Sequence, residues 1–420
     1  MPKRLQFALA CIVLGCMCII AVNRCNFRPF LRWTHRTPLN KEWLGYRTEK
    51  KYTALEIQGI EVVNAFSKTF VTQTGASDTI VVRTRGLPNE AMNISLNDGV
   101  LRIEEKDVWS RGLLREDFSS GWFSHWYDDW YMDAAIIIEV PKDKRFTAMQ
   151  FDLQRSAELD LVEAEAVTVR GDGSPTFKAR YCTFGTVTSQ GEIRVDMADT
   201  ALKSRCTLAS KDGSIILKAV TAPAVEISSA DGRFQAERID FDELRCRMED
   251  GSCRIDGTIK KKIDIISDDG SVALDLNGTA IAEFLSIRSG DGSITVKNVS
   301  APQADITTED GQIKMQQCDL HNLTAQAYNS ISFDGDLSGI CQFTSRNGNI
   351  RLLLQKAEND YAISSLTSNT SGTVRAVGNI TIENTSKTAE TLPVIAGDPN
   401  ASNKLILSAE EGKITIKTKE

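Results

Sequence analysis

The feature that most constrains this chain is an Asp-Gly dipeptide that returns at a fixed interval from residue 172 onward. The usual interval between the glycines is 19 residues, and the intervals of 22 residues from Gly191 of Gln190-Gly191 to Gly213 and from Gly270 to Gly292 indicate three-residue insertions. The dipeptides are Asp172-Gly173, Asp212-Gly213, Asp231-Gly232, Asp250-Gly251, Asp269-Gly270, Asp291-Gly292 and Asp310-Gly311. A period of this length is typical of a solenoid, in which each repeat forms one turn and stacks on the turn before it.

The residues around each glycine also repeat, and they alternate between apolar and polar. The position two residues after the glycine carries the apolar residues Ile215, Phe234, Cys253, Val272, Ile294 and Ile313. Alternation with a period of two predicts short strands with one buried face. Each 19-residue unit is therefore interpreted as two short strands joined by a corner, at which glycine supplies a positive φ angle.

Two architectures are compatible with this pattern. An Asp-Gly turn between alternating strands is a strong hairpin signal, which would give an antiparallel meander. However, each residue type returns at the same offset in the same direction, as expected when each turn stacks in register on the last at about 4.8 Å. The sequence favours an all-β fold, a parallel β-helix-like solenoid with 19-residue rungs over residues 155–420, in which Leu405, Leu407, Ile414 and Ile416 belong to the last rung.

The N-terminus carries the clearest targeting signal of the chain. Lys3 and Arg4 precede an apolar run over residues 7–22, which is long for a signal-peptide core and slightly short for a spanning helix. We expect residues 1–24 to be a membrane-anchor helix or a cleaved signal segment, with a lipoprotein-type site at Cys16 as a weaker alternative. Residues 25–50 are then a linker to the β-rich part of the chain.

The charges that flank the apolar run leave its orientation open. A cluster of four arginines between residues 24 and 36 competes with Lys3 and Arg4 for the cytoplasmic side of the membrane. We expect a membrane-anchored protein whose bulk is extracytoplasmic, in the periplasm or at the cell surface. Retention of the arginine cluster inside the cell would instead place the whole domain in the cytoplasm.

Residues 51–154 are β-rich but lack the 19-residue rhythm, and they contain a Trp-rich insertion at residues 107–133. Aromatic platforms suit carbohydrate faces, protein hot spots and membrane interfaces, although aromatics can equally cap the open end of a solenoid. The candidate binding residues are Trp109, Trp122, Phe123, Trp126, Tyr127, Trp130 and Tyr131. The partner expected for such a surface is a protein or a cell-surface glycan.

Cysteines of the repeat region occupy positions that are apolar in other repeats. Cys206, Cys246, Cys253, Cys318 and Cys341 align with Val, Ile, Leu or Phe elsewhere, which favours buried small hydrophobic side chains. Cys246 and Cys253 flank one corner, so they are the pair that we predict for a disulfide if one forms.

Polar positions at the corners are interpreted as structural. Asp before Gly is common turn chemistry, because the carboxylate accepts backbone hydrogen bonds. Three residues before the glycine, hydroxyl residues such as Ser210, Ser229, Ser267 and Ser289 are expected to bond along the stack and to the corner backbone.

No recognisable reaction centre emerges from the residues that carry chemistry. The three histidines, His35, His125 and His321, are far apart, and no Ser-His-Asp arrangement or phosphate-binding loop occurs. We therefore expect no catalytic residue, no metal site and no cofactor. A net charge of -7 also argues against nucleic acid as a partner, since such binding needs clustered Lys and Arg. The oligomeric state is left open.

The units Ser289-Gly-Asp-Gly-Ser-Ile-Thr-Val-Lys297 and Lys211-Asp-Gly-Ser-Ile-Ile-Leu-Lys218 resemble the repeats of the bacterial putative-adhesin domain family of unknown function. The strand Ala134–Lys142 is similar to the strand that enters the repeats in that family. The resemblance covers about residues 55–420, while the Trp-rich insertion and the abundant cysteines depart from the pattern. It implies a β-solenoid at the cell envelope and supplies no catalytic residues.

We accordingly expect an adhesin-like, membrane-tethered cell-envelope protein with a binding or scaffolding role and no catalysis. One alternative is a β-helical enzyme acting on polysaccharide, which would need carboxylates that converge on one cleft. The other alternative is a self-assembling solenoid scaffold that faces the cytoplasm.

Overall fold

The computed structural model describes residues 47–75, 78–87, 89–106, 134–161, 163–179, 182–189, 191–202, 205–356, 360–367, 375–376, 394–398, 400–409 and 414–418. Within these residues the chain forms strands and two short 3-10 turns, Ala54–Glu56 and Asn89–Ala91. No helix of the described part is long and apolar enough to cross a membrane. The expected anchor or signal segment (residues 1–24), most of the linker and the Trp-rich insertion lie outside the described residues.

Strands account for nearly all of the regular structure. The first seven are β1 (Arg47–Thr53), β2 (Gly59–Ala65), β3 (Lys68–Thr74), β4 (Thr79–Arg85), β5 (Met92–Asn97), β6 (Val100–Glu105) and β7 (Ala135–Pro141). The next ten are β8 (Arg145–Leu153), β9 (Ala157–Leu161), β10 (Glu163–Arg170), β11 (Pro175–Ala179), β12 (Cys182–Ser189), β13 (Ile193–Ala201), β14 (Cys206–Ser210), β15 (Ile215–Ser229), β16 (Phe234–Met248) and β17 (Cys253–Ser267).

The C-terminal half continues in the same style with shorter strands. These are β18 (Val272–Ala280), β19 (Phe284–Ser289), β20 (Ile294–Ala301), β21 (Ala304–Thr308), β22 (Ile313–His321), β23 (Leu323–Ala327), β24 (Ile331–Ser338), β25 (Ile340–Ser345) and β26 (Ile350–Leu354). The last five are β27 (Tyr361–Thr367), β28 (Arg375–Ala376), β29 (Val394–Gly397), β30 (Asn403–Ala409) and β31 (Ile414–Thr418).

Successive repeats pair in parallel, which confirms the solenoid and rules out the meander for the repeat region. Phe234 of β16 pairs with Ile215 of β15 on one side and with Cys253 of β17 on the other, at the offset given by the sequence period. The inward columns are buried from end to end of the stack and form one continuous apolar core. The rungs repeat at about 19 residues over about 10 turns.

Each rung contains a third strand segment that the sequence pattern did not reveal. A second corner follows the strand after the glycine, and it uses residues with positive φ angles that include Ala219 (50°), Arg238 (55°) and Gln317 (55°). The left-handed residue breaks the alternation of period two, so the short third segment, such as Val220–Ala222, falls out of phase with the strand before it. Ala, Arg and Gln also give no turn signal at this position.

The glycines of the Asp-Gly corners serve a different purpose from the one expected. The described residues with positive φ include no glycine of the dipeptides from Gly213 to Gly311. A Cβ added to Gly251 would instead lie 1.8 Å from the carbonyl oxygen of Gly232, and one added to Gly270 would lie 1.8 Å from that of Gly251. Glycine is required because each corner stacks directly on the backbone of the corner before it.

At the N-terminal end the rungs do not follow chain order. β2 lies between β6 and β8, and β3 lies between β7 and β9, all in parallel pairing. Two antiparallel additions cover this end, namely β5 on β6 and the pair β4–β1 on β7. Parallel stacking therefore begins at Gly59, further toward the N-terminus than the 19-residue rhythm indicates.

The C-terminal end is built in the same way. β30 lies between β25 and β27, and β31 lies between β26 and β28. The pairs Cys341–Leu405 and Ile350–Ile414 confirm the predicted last repeat, although another rung lies outside it in space. β29 then pairs antiparallel with β27.

We predict that Gly251→Ala destabilises the fold, because the new methyl group would overlap the carbonyl oxygen of Gly232. The expected loss in the free energy of unfolding is about 3 kcal/mol, as for an overpacked core. Chemical denaturation of the two proteins measures the difference.

The matched control is Gly75→Ala, where an added Cβ meets no atom within 4 Å. Its stability should stay equal to that of the parent or rise slightly. Equal stabilities for Gly251→Ala and Gly75→Ala would contradict the stacking argument.

Candidate binding surface

Buried hydroxyl groups satisfy the backbone at the Asp-Gly corners, as the sequence predicts. The Gly232 N–H donates to Ser229 Oγ at 3.2 Å, and the Gly292 N–H donates to Ser289 Oγ at 3.1 Å. The Ser289 hydroxyl also donates to the Gly270 carbonyl of the neighbouring rung at 3.1 Å. This column links several corners to the rung before them, through Ser210, Ser267, Ser289 and Thr308, and the Asp side chains take no part in these bonds.

The Asp residues of the same corners form a line of exposed carboxylates, which we call the corner ladder. It consists of Asp212, Asp231, Asp250, Asp269, Asp291 and Asp310, all exposed. Among the described residues, none of these carboxylates makes a side-chain hydrogen bond or an ion pair, so the backbone bonds expected of them are made by the hydroxyl column. Successive members belong to successive rungs, about 4.8 Å apart along the stack.

Acidic residues on other parts of the rungs are treated differently. Asp275 accepts a hydrogen bond from Asn298 of the next rung at 2.8 Å, and Asp264 lies 3.6 Å from Arg245. Asp242 pairs with Lys261 at 2.8 Å, which lowers the pKa of this carboxyl. The lack of a partner is thus a property of the corner ladder and not of the acidic residues in general.

A shallow groove of about 670 Å³ runs beside the corner ladder. Its lining includes the small side chains of Ala209 and Ser228 and the charged side chains of Arg247, Glu249 and Asp268. The groove crosses several rungs and is open to solvent along its length. Its mixed charges suit an extended polar partner better than a small apolar ligand.

The two ends of the Trp-rich insertion are fixed on the outermost parallel rung. Lys106 donates its backbone N–H to the Ala91 carbonyl at 2.8 Å, and Ala134 accepts from Lys68 N–H at 3.2 Å. The insertion therefore leaves and re-enters the solenoid at its N-terminal end, which is also the end where β1 begins. The candidate binding residues themselves, Trp109 to Tyr131, lie outside the described residues.

A buried glutamate lies directly before this insertion. Glu105 is 1% exposed, and its carboxylate accepts hydrogen bonds from the N–H and the hydroxyl of Ser67, both at 2.8 Å. Burial raises the pKa of Glu105 to about 7, although the Ser67 hydrogen bonds and the positive charge of Arg155 act in the opposite direction. A side chain that changes charge near neutral pH thus lies at the base of the insertion.

Sequence reasoning missed Glu105 for a simple reason. Charged residues are rarely buried, so a glutamate at the end of a strand is ordinarily interpreted as exposed. The alternation of period two already placed residue 105 on the inward side with Leu101 and Ile103, and an acidic residue at an inward position was the available signal.

The structure brings Cys246 and Cys253 together. Both thiols are free and buried on either side of the Asp250-Gly251 corner, and Cys253 adds to the effect of burial that raises the pKa of the Cys246 thiol. Cys206, Cys318 and Cys341 are also buried free thiols, as the apolar columns predict.

These features define a parallel β-solenoid with exposed, regular surfaces. Within the described residues, no group of three or more His, Cys, Asp or Glu side chains is arranged to hold a metal ion.

Comparison with known families then identifies the class more closely. The chain belongs to the Toastrack DUF4097 family, whose family model matches residues 57–283, 238–384 and 280–417. This confirms the resemblance to an adhesin-like domain family of unknown function.

Two solved structures are similar to this chain. One is a putative cell adhesion protein from Clostridium sporogenes ATCC 15579, with 10% identity, coverage of 89% of this chain and 99% of that chain, and a TM-score of 0.16. The other is a putative adhesin from Parabacteroides distasonis ATCC 8503, with 11% identity, coverage of 89% and 98%, and a TM-score of 0.26. With TM-scores this low, neither structure informs the function of this chain. No curated protein matches it.

We predict that the corner ladder destabilises the fold through repulsion between its carboxylates. Replacing Asp231, Asp250 and Asp269 by Asn removes four neighbouring pairs of the ladder. The free energy of unfolding should rise by about 1–4 kcal/mol at low ionic strength, since each pair contributes up to about 1 kcal/mol in water. The gain should shrink as salt is added. Denaturation at low and at high salt measures both effects.

Asp264→Asn is the matched control, because that carboxylate has Arg245 as its partner. This substitution should not raise the free energy of unfolding at either salt concentration. A triple variant that behaves like this control would show that the ladder carboxylates do not repel one another.

We predict that Glu105 makes the stability of the fold depend on pH. The pKa of Glu105 is raised from 4.5 to about 7 in the folded state, so the unfolded chain loses this proton first as the pH rises. The contribution of Glu105 to the free energy of unfolding is fully present below about pH 4.5. It is lost as the pH rises from about 4.5 to 7, and the total loss is about 3 kcal/mol. Glu105→Gln, which keeps the shape and stays neutral, should remove this loss.

The measurement is the free energy of unfolding at several pH values between 4 and 8. Glu104→Gln on the same strand is the control, since its side chain is one-third exposed and lies beside Arg102. Parallel pH profiles for the parent and Glu105→Gln would contradict the assignment.

Proposed function

We propose that the chain is an adhesin-like, membrane-tethered protein of the cell envelope that binds or scaffolds a partner outside the cytoplasm and performs no catalysis. The observation that carries the proposal is the solenoid of the Toastrack DUF4097 family with the Trp-rich insertion rooted at one end. The apolar run at residues 7–22 supports the tether.

The placement of the insertion supports a recognition role. Tryptophan and tyrosine provide large contact areas at a low cost in conformational entropy. Trp109, Trp122, Trp126 and Trp130 belong to a segment whose two flanking residues are hydrogen-bonded to the backbone of the solenoid end. We propose that this segment contacts a protein or a cell-surface glycan, with the groove beside the corner ladder as an accessory surface.

The arrangement of the carboxylates supports a role without catalysis. Glycoside hydrolysis needs two carboxyl groups that face each other across the bond to be cleaved. The carboxylates of the corner ladder follow one another along the exposed corners, one per rung, and such a line suits electrostatic contact better than acid–base chemistry.

Topology mapping tests the tether and the location. A reporter fused after Glu420 should be accessible to a membrane-impermeant reagent in intact spheroplasts. A C-terminus that becomes accessible only after lysis would overturn the extracytoplasmic proposal.

Binding to isolated cell-wall material and to a glycan array tests the recognition role. We expect a variant with Trp109, Trp122, Trp126 and Trp130 replaced by Ser to lose at least tenfold in affinity. The control replaces Asp231, Asp250 and Asp269 by Asn and should change binding far less. Unchanged binding of the Trp variant would assign these aromatics to packing.

A further inference from the structure

One rung has an interior corner that differs from its neighbours in chemistry. The hydroxyl column is interrupted by Met248, whose methyl group fills the space beside Gly251. Cys246 and Cys253 flank this residue on the inward side, and they are 0% and 1% exposed. Met248 therefore replaces the hydroxyl that bonds the corner in the rungs on either side, at Ser229 and Ser267, and the two cysteines beside it occupy apolar columns.

The two cysteines are placed for direct reaction with each other. Cys246 lies two residues before the end of β16 and Cys253 is the first residue of β17, so the two buried side chains lie on either side of the same corner. Cys253 lies close enough to add to the effect of burial, which raises the pKa of the Cys246 thiol. By contrast, the thiols of Cys318 and Cys341 donate to the backbone carbonyls of Gln316 and Ser338, at 3.4 and 3.3 Å.

We propose that Cys246 and Cys253 form an intrachain disulfide when the chain folds in the presence of a small-molecule disulfide oxidant. The inference does not depend on the proposed function. The bond would close a short loop around the Asp250-Gly251 corner, and it would supply the cross-corner link that the hydroxyl group gives in other rungs.

The reaction is an exchange with the oxidant, for which oxidised glutathione is a suitable probe. One cysteine thiolate attacks a sulfur of the oxidant, forms a mixed disulfide and releases one glutathione thiolate. The second cysteine then attacks the protein sulfur of the mixed disulfide and releases the other glutathione. Both protons leave to solvent or to the released thiolates, and the two electrons of the protein thiols reduce the oxidant.

Burial determines when this exchange takes place. Both sulfur atoms are inaccessible in the folded chain, and burial raises the pKa of the Cys246 thiol. Oxidation must therefore precede closure of the corner, and afterwards the apolar core protects the bond from reductants.

Peptide mapping is the direct test. The full chain is refolded with oxidised glutathione, free thiols are blocked with iodoacetamide in denaturant, and the protein is digested with trypsin without reduction. Trypsin cleaves after Arg247, so Cys246 and Cys253 fall on separate peptides that only the disulfide joins. We expect this linked pair in the mass spectrum and expect reductant to separate it.

Thermal unfolding with and without reductant provides the second measurement. The Tm of the oxidised parent should fall by about 2–5 °C on reduction. The Tm of the oxidised Cys206→Ala variant should fall by the same amount. The Tm of Cys246→Ala should not change when reductant is added. The proposal would be overturned if both Cys246 and Cys253 carry the blocking group before reduction, or if either one is linked to another cysteine. The peptide map of the parent chain decides this even if a variant does not fold.

Discussion

The stack depends above all on how closely one Asp-Gly corner lies on the next. The carbonyl oxygen of Gly232 occupies the space in which a side chain at residue 251 would begin, so the two rungs can approach only where the later residue is glycine. This approach sets the register of every strand that leaves the corner. Once the register is set, the inward columns coincide from rung to rung, and the hydroxyl column meets the backbone groups that the corner leaves unpaired.

The features that sequence reasoning could predict are those that this register imposes on every repeat. Glycine, the hydroxyl three positions earlier and the alternating apolar residues recur because each rung must satisfy the same contacts. That regularity gave the parallel arrangement, the buried cysteines and the final repeat at Leu405 and Ile414. Of the candidate binding surface, the corner ladder could be listed from the sequence, but its lack of partners could not.

Other features escaped because they do not repeat as a residue type. The second corner needs only a residue that tolerates a positive φ angle, and Ala219, Arg238 and Asn298 all meet that need. The rung that begins at Ile331 has Asn329-Ser330 in place of the dipeptide, so the Asp-Gly pattern does not mark it. The order of the rungs at the two ends depends on which strands pair. A periodic sequence pattern does not show this, because it is the same whether or not rungs that are adjacent in space are also adjacent in the sequence.

The displaced rungs at both ends bear on how the molecule would respond to force. A solenoid built strictly in chain order would present its first and last strands at the edges, where a pull on the terminus opens hydrogen bonds one at a time. Here β1 and its partner β4 would peel away first, but β2 is held between β6 and β8 and must slide against both at once. A load that enters through the N-terminal segment is therefore borne in shear by two parallel ladders. The hydrogen bonds of both ladders would have to break together before the stack opens.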